Sequence, residues 1–259
     1  MRIYQVDAFT DKPFRGNPAG VCILESKPTD KWMQDIASEM NLAETAFLLP
    51  MDDGYSLRWF TPNSEIDLCG HATLASAHIL SEKGYIIEGR EVNFFTKSGL
   101  LTAVSDDGWI RLNFPATPEK KVEAPVGLVE ALDIEPLYVG KSVFNYIIEV
   151  ETEDIVRNLK PDFTKLLRID MHGVIVTAKS KEYDFASRFF APAIGIFEDS
   201  VTGSAHCCLG PYWKNRLGKN EFIAYQASSR GGELRVRVLD DRVLISGKAV
   251  TILEGEIFC

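Results

Sequence analysis

The sequence predicts an α+β protein of two similar modules, each a β-barrel-like sheet wrapped around a central helix. Three observations support this fold class. Short strand-like runs dominate the chain, helical patterns are few, and each half contains one helix that opens with small residues directly after a glycine. The 259 residues are long for one domain and short for three, and 46% hydrophobic residues suffice for a sizeable core.

Strand-like runs, separated by Gly, Asp and Asn, fill both halves of the chain. The runs in the first half are Ile3–Phe9, Gly20–Leu24, Thr45–Leu49, Ser56–Phe60, Val92–Thr96, Leu101–Val104 and Trp109–Phe114. Those in the second half are Leu137–Val139, Tyr146–Val150, Gly173–Ala178, Phe222–Gln226, Leu234–Leu239 and Val243–Ser246. Two more, Thr251–Leu253 and Glu256–Phe258, close the chain.

Helical patterns occur at four places. Asp30–Met40 follows a Pro-Thr pair and carries apolar residues at helical spacing. Ala72–Lys83 and Ser204–Leu217 are rich in small and apolar residues, and Glu151–Leu159 has a less regular pattern. Pro211 lies inside one of these segments, so we expect a lost hydrogen bond and a kink there.

A charged, proline-bounded stretch, Ala116–Pro125, is the predicted linker. It divides the chain into an N-terminal module, residues 1–115, and a C-terminal module, residues 116–259. We expect the last strand, residues 249–259, to return to the first module. Because both glycine-led helices are apolar nearly all round, each is expected to be buried in its module. Their N-termini, which favour anions, are predicted to face one cleft.

Composition excludes several classes of function. A net charge of −9 argues against binding to nucleic acid or to an anionic membrane. The N-terminal residues lack a secretory pattern, and no apolar run is long enough to span a bilayer. The chain has no C-x-x-C pair, no H-E-x-x-H, no G-x-S-x-G and no nucleotide-binding glycine motif. We therefore expect a reduced cytoplasmic protein without a disulfide framework, a metal site or a nucleotide.

One carboxylate, Glu44, stands in the otherwise apolar segment "NLAETAFLLP" that runs from Asn41 to Pro50. Two interpretations are open. Asn41 and Glu44 have the spacing of a capping box, which the segment alone favours. Alternatively, Glu44 begins a buried strand, where an unpaired carboxylate is costly unless function requires it.

Four stretches, taken together and in order, resemble the PhzF family of phenazine-biosynthesis isomerase-like proteins, whose fold is that of diaminopimelate epimerase. They are "FRGNPAGV" (Phe14–Val21), "NLAETAF" (Asn41–Phe47), "RWFTPNSEIDLCGHATLASAHIL" (Arg58–Leu80) and "EDSVTGSAHC" (Glu198–Cys207). The similarity continues through "GKAVTILEGEI" (Gly247–Ile257), so that it covers essentially the whole chain.

The resemblance implies an isomerase that shifts a proton on a small carboxylate substrate without metal, nucleotide or other cofactor. It assigns proton transfer to Glu44, substrate polarisation to His71 and assistance in proton handling to Asp199. An apolar setting suits such a glutamate, because desolvation disfavours the ionised carboxylate. The expected substrate-binding residues are Asn17, Gly70, Thr202, Gly203 and Ser204. A homodimer is compatible with such sheets, although no sequence pattern requires it.

Two other functions fit parts of the sequence. A two-thiol racemase or epimerase of the same fold needs a cysteine ahead of each glycine-led helix; Cys69 precedes Gly70, but Thr202 precedes Gly203. A non-catalytic small-molecule-binding protein would have no evident use for the acid/base residues. The family usually has proline where this chain has Ser200, which predicts a less rigid turn after Asp199.

The remaining histidines and cysteines are expected to be structural. His78, His172 and His206 match no metal-binding pattern. Cys207 and Cys208 are adjacent, too close for an ordinary disulfide, and are expected to be small core residues.

Overall fold

The computed structural model describes residues 1–258, and Cys259 lies outside that range. The strands are β1 (Arg2–Ala8), β2 (Asn17–Ile23), β3 (Glu44–Met51), β4 (Gly54–Phe60), β5 (Glu65–Ile66), β6 (Glu91–Thr96), β7 (Gly99–Asp106), β8 (Trp109–Pro115), β9 (Lys120–Lys121), β10 (Tyr138–Lys141), β11 (Asn145–Glu149), β12 (Gly173–Lys179), β13 (Phe185–Ala191), β14 (Ile196–Asp199), β15 (Glu221–Gln226), β16 (Gly232–Val238), β17 (Arg242–Gly247) and β18 (Ala249–Glu256). The helices are α1 (Asp30–Met40), α2 (Gly70–Glu82), α3 (Leu128–Leu132), α4 (Glu153–Asn158), α5 (Phe163–Leu166) and α6 (Gly203–Leu217).

The chain forms two compact units. The first unit contains Met1–Phe114 and the segment that begins at Ser246, and the second contains Pro115–Ile245. No helix within residues 1–258 has the length and apolar character needed to cross a membrane.

The first unit is built on one mixed sheet. β18 and β2 flank β1, both antiparallel to it, and β3 lies parallel to β2. The sheet continues with β4 antiparallel to β3, β6 parallel to β4, and β7 antiparallel to β6. β8 pairs with β7. Helix α2 contacts β1, β2, β3, β7 and β18, so the sheet curves around this helix.

The second unit repeats the same order of pairings. β10 and β11 are antiparallel, β11 and β12 parallel, β12 and β13 antiparallel, β13 and β15 parallel, and β15 and β16 antiparallel. In the first unit the central helix α2 lies between β5 and β6 in chain order. In the second unit α6 lies between β14 and β15. The prediction of two similar modules, each a β-barrel-like sheet around one helix, is confirmed.

The two central helices are buried because small side chains let the strands approach closely. In α2, ten of the residues are buried, among them every residue from Gly70 to Ala77. In α6, a Cβ atom added at Gly210 would lie 3.0 Å from side-chain atoms of both Val236 and Val238. Helix α6 runs on past Pro211, and Trp213 stacks on Phe185 at a centroid distance of 5.5 Å.

The end of helix α1 decides between the two interpretations of Glu44. The Thr29 hydroxyl caps the start of α1 by accepting from the Trp32 N–H. Asn41 ends the helix in the left-handed region, with φ 49°, and its N–H donates to Ala37 O. The predicted capping box is therefore wrong, because Asn41 closes a helix and Glu44 begins a strand.

Several elements differ from the sequence prediction. The predicted run Thr251–Leu253 extends through Glu254 and Gly255, for which β1 supplies backbone partners, to form strand β18, which ends at Glu256, the first residue of the second predicted run. The predicted linker contains β9, which pairs with Gly140 and Lys141 of β10. The prediction did not include β13 and β14, or the short helices α3 and α5.

Candidate active site

Glu44 is the first residue of β3, and its side chain is buried. Its backbone is in register with Ala19 on the parallel strand β2. The residue is only 5% exposed, and the three residues that follow it, Thr45 to Phe47, are buried as well. The strand therefore holds a carboxylate in a largely apolar environment, where an ionised group needs a partner.

That partner is His71, the second residue of α2. Its Nε2 atom lies 2.9 Å from Oε2 of Glu44, and the residue is 5% exposed. The other ring nitrogen, Nδ1, lies 3.5 Å from the Sγ atom of Cys69. The imidazole is thus placed between a thiol and a carboxylate, each at a different nitrogen.

The contact between Glu44 and His71 is short but not aligned. Within residues 1–258, neither Oε2 of Glu44 nor Nε2 of His71 has a hydrogen bond of good geometry, although both atoms are buried. Buried polar atoms are normally hydrogen-bonded, and the exceptions call for an explanation. We interpret both atoms as retaining hydrogen-bonding capacity for a bound molecule.

Electrostatics in this cluster favour a charged histidine. Burial lowers the pKa of His71, but the adjacent Cys69 and Glu44 outweigh burial and raise it well above the ordinary value. Burial, and then the charge of Glu44, raise the pKa of the Cys69 thiol. Both shifts favour the protonated form of the group, a thiol at Cys69 and an imidazolium at His71.

Glu44, Cys69 and His71 are also the one group of side chains in residues 1–258 whose ligand-type atoms lie within 4.8 Å of one another. A metal ion would take one nitrogen of the histidine. Here the thiol and the carboxylate approach different nitrogens of the ring. The thiol and the carboxylate therefore do not share the single ring nitrogen that an ion would bind.

The predicted residues of the second unit form a separate hydrogen-bonded turn. Asp199 ends β14, and its Oδ2 atom accepts from the Thr202 hydroxyl at 2.6 Å. Thr202 precedes α6, Gly203 is the first residue of that helix, and Ser204 is exposed in its first turn. The structure thus brings Asp199 and Thr202 together at the start of α6.

Gln226 holds this turn in place, a role that the sequence did not reveal. Its Oε1 atom accepts from the Thr202 N–H at 2.8 Å, and its Nε2 donates to Asp199 O at 2.8 Å and to Thr202 Oγ1 at 3.1 Å. The residue is 0% exposed. A single buried amide at the end of β15 therefore holds both of these predicted site residues in place.

His206 supports the same turn from inside α6. Its Nδ1–H donates to Thr202 O at 2.8 Å, and its ring stacks near Phe185. Burial lowers the pKa of His206 to about 4, against a small opposing effect of the Thr202 carbonyl. The side chain is thus neutral at physiological pH and structural, as expected.

Asn17 is the first residue of β2, 1% exposed and paired across the sheet with Ala8. The loop before it depends on Gly16, whose φ is +64° and whose added Cβ would lie 2.1 Å from Ala8 O. Buried Asp7, which the sequence did not single out, accepts from the Phe14 N–H at 2.8 Å. These contacts fix the loop that leads to Asn17.

The remaining histidines and cysteines contact other parts of their units. His78 Nε2 lies 3.0 Å from Thr251 Oγ1, and exposed His172 lies 3.0 Å from Asn145 Oδ1. Cys207 and Cys208 are buried in α6, and burial raises the pKa of each to about 12. The predicted cleft shared by Glu44, His71 and Asp199 stays a prediction.

Comparison with known proteins identifies the family. The family model described as "Phenazine biosynthesis-like protein", PhzC-PhzF, matches residues 6–255. The chain belongs to the PhzF family. The resemblance seen in its sequence motifs is confirmed.

Relatives of this PhzF-family chain are isomerases by name. An uncharacterized isomerase of Halalkalibacterium halodurans is 57% identical over 258 residues, which cover 98% of this chain and 97% of the relative. The crystal structure of a PhzF-family phenazine biosynthesis protein from Enterococcus faecalis is 40% identical, with a TM-score of 0.96, covering 100% of this chain and 99% of that one. This PhzF-family protein is an isomerase.

A more distant structure confirms the fold class. A probable proline racemase from Agrobacterium radiobacter K84 is similar with a TM-score of 0.68 at 12% identity, covering 99% of this chain and 92% of that chain. At this level of identity the similarity establishes the epimerase-like fold alone. The chemistry of this PhzF-family isomerase has to be argued from its own residues.

Proposed function

We propose that this isomerase moves a proton between two carbon positions of a small carboxylate substrate, with Glu44 as the group that removes and returns the proton. The observation that carries the proposal is the buried contact of 2.9 Å between Glu44 Oε2 and His71 Nε2, in which neither atom has a well-formed hydrogen bond. One carboxylate that accepts a proton and gives it back nearby suffices for such a shift.

The charge state of the pair supports this direction of proton flow. Cys69 and Glu44 raise the pKa of His71 well above its ordinary value, which favours the cationic ring beside Glu44, and in this proposal the glutamate acts as the base. As the substrate loses its proton, negative charge develops on its carboxylate side. The imidazolium of His71 can stabilise that charge and polarise the substrate.

The start of α2 supplies further stabilisation. Gly70 and His71 are its first two residues, and the cap residue Cys69 makes no side-chain hydrogen bond to the helix start. Backbone N–H groups in the first turn of this 13-residue helix favour an anion. Together with His71, they support a substrate that carries a carboxylate.

Asp199 enters the proposal through the family's E-D-x-x-T-G-S pattern, which this chain matches as Glu198 to Ser204 except for its Ser200. The carboxylate of Asp199 is oriented by the Thr202 hydroxyl. A carboxylate held in one orientation can assist proton handling. The amides near Gly203 and the hydroxyl of Ser204 would contact the substrate carboxylate, with Asn17 and Thr202 shaping the binding site.

The test is proton NMR in D2O of the purified protein with a panel of small unsaturated carboxylates, cyclic and acyclic, including a dihydroaromatic amino acid. Three proteins are compared: wild type, Glu44→Gln, and the control Glu39→Gln, which changes an exposed carboxylate on α1. We expect deuterium to enter a carbon position with wild type and Glu39→Gln only. Deuterium incorporation by Glu44→Gln at the wild-type rate would refute the mechanism.

A further inference from the structure

The proposed proton transfer uses only one side of His71. Nε2 lies beside Glu44, whereas Nδ1 lies 3.5 Å from Cys69 Sγ and has no assigned role. Cys69 is 5% exposed and directly precedes α2. The second nitrogen of a catalytic histidine matters, because its hydrogen bond decides which nitrogen carries the proton in the neutral ring.

Once His71 is neutral, the three groups favour one arrangement of their hydrogen atoms. An ionised carboxylate only accepts hydrogen bonds, so a proton on Nε2 is favoured over a lone pair facing Glu44 Oε2. A neutral imidazole with its proton on Nε2 has a lone pair on Nδ1. The thiol of Cys69 has one proton to donate, and Nδ1 lies within its reach.

The backbone of Cys69 is held firmly enough for this role. Its carbonyl oxygen accepts both from the Thr73 hydroxyl at 2.5 Å and from the Thr73 N–H at 3.3 Å. Both residues are buried. The thiol and the imidazole are therefore attached to one rigid helix start, two residues apart.

We propose that Cys69 is a positioning residue for His71: its sulfur accepts from Nδ1–H while the ring is cationic, and its S–H donates to Nδ1 once the ring is neutral, which keeps the remaining imidazole proton on Nε2, beside Glu44. The catalytic meaning of this role rests on the proposed function, but the tautomer of His71 does not. Cys69 itself is neither nucleophile nor base in this scheme. Its thiol stays protonated and serves to orient the histidine.

Nitrogen NMR of the histidine rings measures the tautomer without any substrate. Uniformly ¹⁵N-labelled wild type, Cys69→Ala and Cys69→Ser are titrated until His71 becomes neutral, and His71→Gln identifies its signals. Among the four histidines, His206 provides an internal reference for the opposite tautomer, since its Nδ1–H donates to Thr202 O. Pyrrole-type and pyridine-type nitrogens are widely separated in such spectra.

In wild type, we expect neutral His71 to show a pyrrole-type Nε2 and a pyridine-type Nδ1, the reverse of His206. In Cys69→Ala, the ¹⁵N chemical shifts of both His71 nitrogens should move toward the average of the pyrrole-type and pyridine-type values, because the donor at Nδ1 is lost. Cys69→Ser retains a donor and should stay closer to wild type. Unchanged His206 signals would show that the fold is retained.

Three results would overturn the inference. They are a wild-type His71 with its proton on Nδ1, a His71 that stays doubly protonated throughout the titration, and a Cys69→Ala spectrum identical to that of wild type. The first two need no variant, so a poorly folding Cys69→Ala leaves the inference testable. If Glu44→Gln kept turnover while the tautomer result held, the proposed function alone would fail.

Discussion

Glu44 and His71 meet at 2.9 Å although one begins a β-strand and the other lies in the first turn of a helix, 27 positions further along the chain (71 − 44). The pair is buried on both sides. Such a pair is expensive to maintain for stability alone, because desolvation offsets much of the attraction between buried charges. This cost is the physical reason to test both residues for catalysis.

Replacing Glu44 by glutamine should abolish most of the isomerase activity while the protein remains folded. Glutamine keeps the size of the side chain but cannot accept and return a proton, so we expect turnover to fall by about 100- to 10,000-fold. Deuterium incorporation measured by proton NMR checks this, with Glu39→Gln as the matched surface control. A loss below tenfold would contradict acid/base catalysis by Glu44.

Cys69 variants distinguish the positioning role from thiol catalysis. Removing one hydrogen bond to His71 in Cys69→Ala should lower kcat by roughly 3- to 10-fold with little change in KM. Cys69→Ser should recover part of that loss. In a two-thiol racemase the serine variant would instead be inactive, so steady-state kinetics of the two variants separates the alternatives.

Acid should destabilise the protein through His206. Its folded-state pKa of about 4 lies below the ordinary value of 6.5, so the unfolded chain binds the proton first as the pH falls. Stability from this residue is fully present above pH 6.5 and declines toward pH 4, by roughly 2 kcal/mol between pH 7 and pH 5.

Urea unfolding at both pH values measures the effect. His206→Gln has no titrating ring at this position, so its free energy of unfolding should fall less between pH 7 and pH 5 than that of wild type. Burial lowers the pKa of the exposed His172 in the same direction but less, so the control His172→Gln should keep most of the wild-type pH dependence. Equal pH dependence in wild type and His206→Gln would show that the buried ring is not the source.

Gln226→Ala should loosen the turn that holds Asp199. The variant leaves the buried N–H of Thr202 without its acceptor, and we expect a loss of about 1–3 kcal/mol in the free energy of unfolding. Gln34→Ala removes one half-buried hydrogen bond, to Thr61 O, and should lose less. A Gln226→Ala protein as stable as wild type would contradict the role of Gln226 in holding the turn between Asp199 and Thr202.

Much of the architecture was predictable because hydrophobic patterns, helix caps and turn residues depend on residues that are close in sequence. Helix α1 was predicted with its observed bounds, since Thr29 and the apolar spacing mark it locally. β13 was missed, because Phe185–Ala191 contains Ser187 and Arg188 and lacks a clear alternation. Strands β12 and β15 pair with β13 on its two sides, and these backbone hydrogen bonds form the strand although its local pattern does not indicate one.

The sequence by itself determined the family, the repeated glycine-led helices, and the positions of Glu44, His71 and Asp199 in their motifs. Only the tertiary structure decided that Asn41 caps α1, that Cys69 and Glu44 approach opposite nitrogens of His71, and that Gln226 holds Thr202. The approach of Glu44 to His71 and of Gln226 to Thr202 depends on which segments pack together and at what register. Such contacts join residues distant in sequence, and a motif records the residue types without their distances.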